Sequence, residues 1–251
     1  AVTVKIGCTK EGRITAAQAE LKFQAGAYPG SPVQIGCMCA FTCYDVENVQ
    51  VVGFDVVTNR PKAVAYRAPG APIAAFAVES LVDKLAQQIG MDPIAFRELN
   101  AAREGTRTSY GPTLGVVGFQ ETLDAAKNHP HYSAKLGPNQ GRGVATGYWF
   151  NVGGETSCAV SVLEDGTVMI TSGSPDVGGS RASLVIMAAE VLGIDVDQVR
   201  AVIADTSSLG FNRHTGGSRV ALFSEPAGIA IFGGGGASVE NCSIEDGTGI
   251  G

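Results

Sequence analysis

The sequence predicts an α+β fold in which helices pack on one face of mixed β-sheets. Three observations lead to this prediction. Each half of the chain opens with two segments in which apolar and polar residues alternate, as in a β-hairpin. Later in each half, apolar residues recur at helical spacing. In the second half a further strand follows the helix, and this segregation of hairpins and helices favours layered α+β domains over a doubly wound parallel sheet.

The first half begins with a predicted hairpin. Residues 2–6 alternate, Glu11 and Gly12 form a turn signal, and residues 14–23 alternate again, although less regularly. Another extended segment with a period of two covers residues 49–57. We therefore expect three strands before the first long helix.

Two helices are predicted next. The first extends from about Ile73 to Gly90, after a Pro-Gly-Ala-Pro turn, because its apolar residues fall at helical spacing. These residues are Phe76, Ala77, Leu81, Leu85 and Ile89. Asp92 as the N-cap and Pro93 at the first helical position begin the second helix, which extends to about Asn100.

The second half begins with another predicted hairpin. Residues 157–163 form a strand with Cys158, Val160 and Val162 on one face, and residues 168–171 form its partner. Asp165 and Gly166 between them are a typical hairpin turn.

A helix and a strand follow this hairpin. Gly178, Gly179 and Ser180 open the helix, Gly193 ends it, and residues 199–204 form the strand. We expect the apolar face of the helix to consist of Leu184, Met187, Ala188, Val191 and Leu192. The result is a β-β-α-β unit.

The domain organisation is predicted from a change in composition. Residues 103–140 are polar and interrupted by Gly and Pro, so we interpret them as a linker with one helix near residues 120–127. The linker separates residues 1–102 from residues 141–251. A strand at the very start of the sequence leads us to expect an internal portion of a longer protein, and the glycine-rich residues 223–251 support no structural prediction.

Composition excludes several classes of function. The 251 residues are 45% hydrophobic, which is ample for a core, and they carry a formal net charge of −6. Without any Lys/Arg-rich run, the chain is not suited to nucleic acid or to anionic lipid, so we expect a small-molecule substrate or protein partners. The sequence has neither an apolar run of about 18 residues nor a signal peptide, and a cytoplasmic location is expected.

A cluster of three cysteines is a candidate for metal binding. Cys37, Cys39 and Cys43 lie close together, whereas the other three of the six are scattered. Zinc and iron–sulfur sites usually need a C-x2-C pair and a fourth ligand, and the three histidines are far away in sequence. Buried or free thiols are therefore favoured over a metal site, and disulfides are disfavoured without a secretion signal.

Three glycine-containing turns are candidates for ligand binding. They are Arg67-Ala68-Pro69-Gly70, Asp176-Val177-Gly178-Gly179-Ser180 and Thr215-Gly216-Gly217-Ser218. The first two precede helices, where backbone N–H groups and the helix dipole favour an anion. Neither a Walker lysine pattern nor G-x-G-x-x-G is present, so plain loops remain the alternative.

Two other groups of residues have competing interpretations. Tyr148, Trp149 and Phe150 form the densest aromatic cluster, which is either part of a core or the wall of a substrate channel. Ser218, His214 and Asp205 supply the residue types of a hydrolase triad. Because Ser218 lacks the G-x-S-x-G context, we disfavour that interpretation.

Several motifs in order resemble the large subunit of molybdenum hydroxylases, the xanthine dehydrogenase and aldehyde oxidase family. Residues 65–72, followed by an Ala/Phe-rich helix, are similar to the family's F-R-G-F-G-G-P-Q turn and helix, and residues 91–100 to its D-P-x-x-x-R-x-x-N segment. The remaining motifs are Gly141-Arg142-Gly143-Val144-Ala145, the Asp165-Gly166 hairpin, Asp176-Val177-Gly178, Ala189-Glu190-Val191-Leu192-Gly193-Ile194, Asp205-Thr206 and Gly216-Gly217-Ser218-Arg219. The resemblance extends over about residues 1–222.

This resemblance implies a molybdopterin cofactor, often the cytosine dinucleotide form in bacterial members. Residues 1–102 would then be a portion of a first molybdopterin-binding domain and residues 141–251 the start of a second. The residues implied to contact the cofactor are Arg67, Ala68, Gly70, Val177, Gly178, Gly179, Gly216, Gly217 and Ser218. Because the pterin's dithiolene sulfurs hold molybdenum in this family, no metal ligand is expected from the protein.

The resemblance also implies an activity and partners. Similar enzymes hydroxylate an aldehyde or an N-heterocyclic or aromatic substrate with oxygen derived from water, and their electrons leave through iron–sulfur clusters and FAD on partner domains or subunits. The family's G-E-P segment with its catalytic glutamate has no counterpart here, so the catalytic residue is unassigned and the isolated chain is expected to be inactive. The alternative is a non-catalytic cofactor-binding or assembly module with the same fold.

Two positions depart from the family pattern. The usual D-x-G-Q-G turn has Gly179 where the glutamine is expected, so only backbone donors are available there. Ile73 replaces a frequent glutamine after the first turn.

Overall fold

The structure is a computed structural model that describes residues 1–150 and 157–207, together with the single residues 212, 215 and 220. The chain divides into two compact units, with the boundary between Trp149 and Phe150. Each unit contains a three-stranded mixed sheet with helical segments, in agreement with the predicted α+β class. No helix in these described ranges combines the length and the apolar content that a membrane crossing needs.

The first unit contains one sheet and five helices within residues 1–149. Its strands are β1 (Val2–Cys8), β2 (Ile14–Gly26) and β3 (Asn48–Val57). Its helices are α1 (Val33–Cys39), α2 (Ala71–Gln88), α3 (Pro93–Asn100), α4 (Phe119–Asn128) and α5 (Pro130–Ser133).

The first sheet has the order β1-β2-β3, with β2 in the centre. β1 and β2 form the predicted antiparallel hairpin, and Gly12 at φ 89° allows the turn between them. The predicted strand at residues 49–57 is confirmed as β3, which pairs with β2 in parallel. A parallel pair needs a crossover connection, and this one contains α1, a helix that the sequence analysis did not predict.

Helix α2 supplies much of the core that covers this sheet. Its fully buried stripe consists of Ala74, Val78, Val82 and Ala86, spaced four residues apart on one face. Each buried valine stabilises the fold by about 1.5–3 kcal/mol relative to an exposed one. Leu85 and Ile89 of the predicted stripe pack at the edge of this core, but Phe76 is 78% exposed. The predicted face was therefore wrong at Phe76, since the small Ala74 lies against the sheet instead.

The segment predicted to be a linker contains two of these helices. The predicted helix near residues 120–127 is confirmed as α4, and its Leu123 is buried against Ile94 and Ala101. These residues thus have a small core of their own. The predicted domain limits at residues 102 and 141 remain a prediction. The boundary between the two compact units lies near residue 150.

The second unit repeats the strand order of the first. It contains β4 (Cys158–Val162), β5 (Val168–Ser172), α6 (Ser180–Leu192) and β6 (Val199–Ile203), in the sheet order β4-β5-β6. The predicted hairpin is confirmed: Gly166 has φ 82°, and the Asp165 carboxylate accepts hydrogen bonds from the N–H and hydroxyl of Thr167. β6 then pairs in parallel with β5.

Helix α6 connects these parallel strands and begins and ends at glycines, as predicted. Gly193 adopts the left-handed conformation at φ 67° and terminates the helix. Leu184 and Ala188 are buried as predicted, but Val191 is 65% exposed and Ala189 is buried in its place. The expectation for Val191 was therefore wrong, because the sheet covers the adjacent side of the helix.

Candidate functional site

The turn before α2 has an unusual backbone conformation. Arg67 has φ 38°, Ala68 has φ 48° and Gly70 has φ 86°. A left-handed conformation costs a non-glycine residue roughly 1–2 kcal/mol, so the turn is held by its surroundings. A Cβ at Gly70 would lie 2.3 Å from the carbonyl oxygen of Pro32 and 2.7 Å from the backbone nitrogen of Gly36. Glycine is thus required at position 70 both by conformation and by packing.

The N-terminus of α2 has no side-chain cap. Gly70 is the N-cap and provides no side-chain hydrogen bond, and Pro72 has no N–H. The Ala71 N–H donates to the Ala68 carbonyl at 3.1 Å. Arg67 is exposed at the surface, and Tyr66 before it is 86% exposed. The turn therefore offers one cation and one aromatic ring beside a helix N-terminus.

The turn before α6 has the same general design in the second unit. Gly178 has φ 76° and Gly179 has φ 88°, and apart from the chain neighbours no heavy atom of the described residues lies within 4 Å of the position of a Cβ at either residue. Val177 is 66% exposed. Gly179 is the N-cap of α6 and again provides no side-chain hydrogen bond. A ligand can therefore approach the backbone of this turn closely.

The Asp176 carboxylate already accepts hydrogen bonds at the N-terminus of α6. One of its carboxylate oxygens accepts from the N–H of Arg181 at 3.3 Å and from the hydroxyl of Ser180 at 3.4 Å. Ser174, just before the turn, has a buried hydroxyl without a partner among the described residues. An anionic ligand at α6 would therefore share the helix terminus with a protein carboxylate.

The third predicted turn lies mostly outside the residues that the structure describes. Gly216, Gly217 and Ser218 are among the undescribed ones, and so is His214 of the disfavoured triad. Thr215, which is described, has a buried hydroxyl with no hydrogen-bond partner in the described part of the chain.

The predicted aromatic wall is half-buried. The hydroxyls of Tyr148 and Tyr110 lie 3.0 Å apart, and their ring centroids are 6.5 Å apart. Burial, and then the hydrogen bond with Tyr110, raise the pKa of Tyr148, so this phenol stays protonated at neutral pH. Trp149 and Phe150 are also half-buried, and they lie on either side of the boundary between the two units.

A buried ion pair in the first unit was missed by the sequence analysis. Arg97 of α3 is 0% exposed, and Glu79 of α2 is 5% exposed. The Arg97 Nε and Nη2 atoms lie 3.0 and 2.8 Å from Glu79 Oε2, and Nη2 also lies 2.9 Å from Asp83 Oδ1. Burial, and then the Glu79 charge, raise the pKa of Tyr44, whose hydroxyl donates to Glu79 Oε1. A glutamate between Val78 and Val82 was the signal that could have predicted this pair.

The same ion pair holds the segment of residues 141–147. The Val144 carbonyl accepts from Arg97 Nη2 at 2.8 Å, and the Thr146 N–H donates to Glu79 Oε2 at 2.8 Å. Thr146 Oγ1 also lies 3.3 Å from the Tyr44 hydroxyl. The guanidinium and the carboxylate thus satisfy backbone groups of an irregular segment in addition to each other.

The other two polar residues of the D-P-x-x-x-R-x-x-N segment also have structural roles. The Asp92 carboxylate accepts from the N–H groups of Ile94 and Ala95 and so caps α3, as predicted. The Asn100 side chain accepts from the Ile14 N–H at 2.8 Å and donates to the Gly12 carbonyl at 2.9 Å. Asn100 therefore fixes the turn of the first hairpin.

The cysteine cluster forms part of the core. Cys39 is buried, and burial raises its pKa to about 11 and that of Cys43 to about 12. These thiols are therefore protonated at neutral pH. Within the ranges that the structure describes, no three His, Cys, Asp or Glu side chains are arranged to hold a metal ion.

Two protein-family models match this chain. A model described as "Molybdopterin cofactor-binding domain" matches residues 1–101, and a second model with this description matches residues 118–230. The chain is 38% identical over 127 residues to the nicotinate dehydrogenase large molybdopterin subunit of Eubacterium barkeri. This alignment covers 49% of this chain and 30% of that protein. It is 30% identical over 255 residues to the nicotine 6-hydroxylase large subunit of Paenarthrobacter nicotinovorans, covering 88% of this chain and 31% of that protein.

A solved structure with a similar fold extends these matches. The aldehyde oxidoreductase from Desulfovibrio desulfuricans has a TM-score of 0.76 and 30% sequence identity to this chain, covering 90% of this chain and 27% of that one. The chain therefore spans about a third or less of the length of these relatives.

Proposed function

Because this chain belongs to the xanthine dehydrogenase family, with two regions that match its molybdopterin cofactor-binding domains, we propose that the turns before α2 and α6 bind the molybdopterin cofactor of a hydroxylating oxidoreductase. The assigned residues are Arg67, Ala68, Gly70, Val177, Gly178 and Gly179, and from the sequence also Gly216, Gly217 and Ser218. Tyr148, Trp149 and Phe150 are assigned to the wall of the substrate channel.

The observation that carries this proposal is the left-handed backbone at both turns. Arg67, Ala68, Gly70, Gly178 and Gly179 all have φ between 38° and 88°, and each turn leads into a helix without a side-chain cap. A turn at a helix N-terminus favours an anion, because the first N–H groups of the helix have no partner within it. Strain at Arg67 and Ala68 is more easily explained by a binding role than by the needs of the fold alone.

The chemical groups of these residues are suited to the cofactor. A phosphorylated pterin needs backbone N–H donors, a cation and space close to the main chain, and these turns provide Arg67 and the open positions 178 and 179. When bound, the cofactor supplies the molybdenum centre at which oxygen from water is transferred to the substrate. The share of this chain is to bind and orient the cofactor.

The activity and partners of the whole protein belong to the same proposal. We assign it an aldehyde or an N-heterocyclic or aromatic substrate, because the similar proteins are named for nicotinate, nicotine and aldehyde. Iron–sulfur and FAD domains or subunits would then receive the electrons. A cytoplasmic location agrees with the free thiols of Cys8, Cys37, Cys39, Cys43 and Cys158.

A second candidate function is a cofactor-binding or assembly module without catalysis. Asp176 favours it, since this carboxylate occupies donors at the N-terminus of α6. Gly179, where the family pattern has glutamine, favours it as well. Measurement of molybdenum, intact mass and turnover on the complete subunit separates the candidates: turnover by a subunit that carries molybdenum and a pterin nucleotide supports the first, and a subunit without turnover, with or without the cofactor, supports the second.

Replacement of Arg67 tests the proposed site. We expect Arg67→Ala in the complete subunit to weaken cofactor binding about tenfold or more, because a charge-assisted hydrogen bond contributes roughly 1.5–3 kcal/mol. Molybdenum per subunit, measured by mass spectrometry of the metal, should fall. Arg60→Ala is the matched control, since Arg60 is also exposed and lies on the same connection. An unchanged molybdenum content in Arg67→Ala would contradict the proposal.

A further inference from the structure

The segment of residues 142–148 has the burial pattern of a β-strand without being part of a sheet. Every second residue is half-buried, and the residues between them are exposed. The half-buried ones are Arg142, Val144, Thr146 and Tyr148. Among the described residues the segment belongs to neither three-stranded sheet, so its backbone groups need partners other than a neighbouring strand.

Buried side chains hold the middle of this segment. The Thr146 N–H donates to Glu79 at 2.8 Å, and the Val144 carbonyl accepts from Arg97 at 2.8 Å. The Thr146 hydroxyl also lies 3.3 Å from the hydroxyl of Tyr44. Because Glu79 is 5% exposed and Arg97 is 0% exposed, the segment is attached here to a fixed part of the first unit.

A second attachment lies at the end of the segment. The hydroxyls of Tyr148 and Tyr110 are 3.0 Å apart, which is a hydrogen-bond distance. The two rings are tilted by 42° and are half-buried. A hydrogen bond at the outer end of a phenol restricts the movement of its ring, so Tyr110 fixes where the Tyr148 ring lies.

Tyr110 is itself held on a tight hairpin. The N–H and the hydroxyl of the buried Thr108 both donate to the Pro112 carbonyl at 2.8 Å. The hydroxyl of Ser109, the residue before Tyr110, lies 3.3 Å from that of the buried Thr42. A residue that is already ordered in this way can hold a neighbour without a further loss of its own conformational entropy.

We propose that Tyr110 is a positioning residue for the wall of the substrate channel, because its hydroxyl fixes the ring of Tyr148. This inference rests on the proposed function, which assigns Tyr148 to that wall. Glu79 holds the middle of the segment and Tyr110 holds its end, so the ring has one position before a substrate arrives. A wall that is already ordered costs less free energy to bind against. Tyr110 therefore acts on substrate binding, through Tyr148, and not on the chemical step.

Amide hydrogen exchange of the 251-residue chain, detected by NMR, tests the attachment. The Thr146 N–H is the probe, because it exchanges when its hydrogen bond to Glu79 opens. Tyr110→Phe removes one hydroxyl and keeps the ring, and it should speed exchange at Thr146 about fivefold, as expected for the loss of one hydrogen bond. The amides of the central strand β2 should keep their rates. An unchanged rate at Thr146, or an equal acceleration in β2, would overturn the proposal.

Two further variants identify the contact responsible. Tyr148→Phe should have the same effect as Tyr110→Phe, and the double variant should match either single one, because the two hydroxyls form one hydrogen bond. Tyr28→Phe is the matched control, since Tyr28 is 70% exposed and the same hydroxyl is lost outside the segment. Additive effects in the double variant, or a faster rate in Tyr28→Phe, would contradict the assigned contact. Should one of the two single variants not fold, the other decides.

The complete subunit tests the consequence for substrate, with nicotinate and benzaldehyde as probes. Tyr110→Phe should raise KM about threefold or more and leave kcat and the molybdenum content unchanged, as expected when an interaction used only in binding is lost. An unchanged KM in a subunit that is loaded and active, or a fall in molybdenum content, would overturn the inference. An unmodified subunit without molybdenum, or without turnover of either probe, counts against the proposed function instead, and the exchange rates then still decide whether Tyr110 holds Tyr148.

Discussion

The two sheets of this chain have the same plan but different interiors. Each has an antiparallel hairpin followed by a helical crossover and a third strand that pairs in parallel with the second. Among the residues that the structure describes, the first core contains fifteen buried apolar residues in one cluster, whereas the corresponding cluster of the second unit contains six. The buried polar side chains of the described residues differ too: the first unit has Glu79, Arg97 and Asn100 besides Thr42 and Thr108, whereas the second has only the hydroxyl residues Thr171, Ser172 and Ser174.

This difference shows that strand order and interior chemistry are separate properties. In the second unit, the short Asp165-Gly166 turn of the hairpin satisfies its own backbone groups. The first unit contains long irregular segments, and buried charged side chains supply the hydrogen bonds that those segments need. We therefore expect the first unit to be more sensitive to loss of a single polar group.

The largest expected effect is the loss of Glu79. Glu79→Ala leaves Arg97 buried with only Asp83 as a charged partner and removes the acceptor for Tyr44 and Thr146. We expect the free energy of unfolding, measured by urea denaturation, to fall by about 3–5 kcal/mol. Asp83→Ala is the control, since the Asp83 side chain is 42% exposed and its loss should cost about 1 kcal/mol or less. Equal costs for the two variants would mean that the buried pair has no special role.

Matched truncations in the two central strands compare the apolar cores. Leu21 of β2 is 0% exposed, and Ile170 of β5 is 2% exposed. Replacement of either by Ala should cost about 2–5 kcal/mol in the free energy of unfolding, with Leu21 at the upper end because its larger core leaves a more enclosed cavity. Thermal and urea denaturation measure both. A greater loss at Ile170 would contradict this ranking of the cores.

Loss of a helix cap should give a smaller difference in stability between the two units, and this difference should depend on pH. Burial alone would raise the pKa of Asp92, but hydrogen bonds from Tyr132 and from the N–H groups of Ala95 and Ile94 outweigh it and lower this pKa below its usual value of 3.8. The ionised cap therefore stabilises the first unit at neutral pH, and this contribution is lost as the pH falls below about 4.

Asp92→Ala should therefore cost about 1 kcal/mol near pH 7, and the variant and the unmodified protein should converge in acid. Urea denaturation at both pH values measures this. A difference in stability that stays constant with pH would show that the carboxylate charge is irrelevant. Helix α6 has a glycine at the equivalent cap and offers no such side chain.

The smallest expected effects should be equal in the two units. Gly90 and Gly193 follow helices with φ 68° and φ 67°, and within the described part of the chain no heavy atom beyond the chain neighbours lies within 4 Å of a Cβ at either position. Gly90→Ala and Gly193→Ala should each cost about 1 kcal/mol, since only the backbone conformation is strained. Unequal melting temperatures of the two variants would mean that the helix ends depend on their units.

The sequence allowed prediction of those elements whose ends are marked by local chemistry. Asp92 with Pro93, Asp165 with Gly166, and Gly193 each marked a boundary that the structure confirms. Helix α1 was missed because its N-cap, Pro32, offers no side-chain hydrogen bond and its first turn has no acidic residue. The parallel pairing of β3 and β6 depends on contacts between distant segments, which no local pattern records.

At the candidate site, the residue types in the sequence predicted only part of the backbone geometry. Glycine predicted the turns at Gly70, Gly178 and Gly179, and their positive φ values agree with that prediction. The left-handed conformations of Arg67 and Ala68 could not be predicted, since most side chains disfavour them. The pairing of Glu79 with Arg97 likewise depends on how α2 and α3 pack.

The hydrogen bonds of Asn100 have a consequence for synthesis of the chain. The Ile14 N–H, at the start of a core strand, has its partner 86 residues later in the sequence. A ribosome that has produced this hairpin but not yet α3 has not produced the side chain that completes the turn. The hairpin is therefore left unfinished during synthesis, and it remains open to chaperones until α3 arrives.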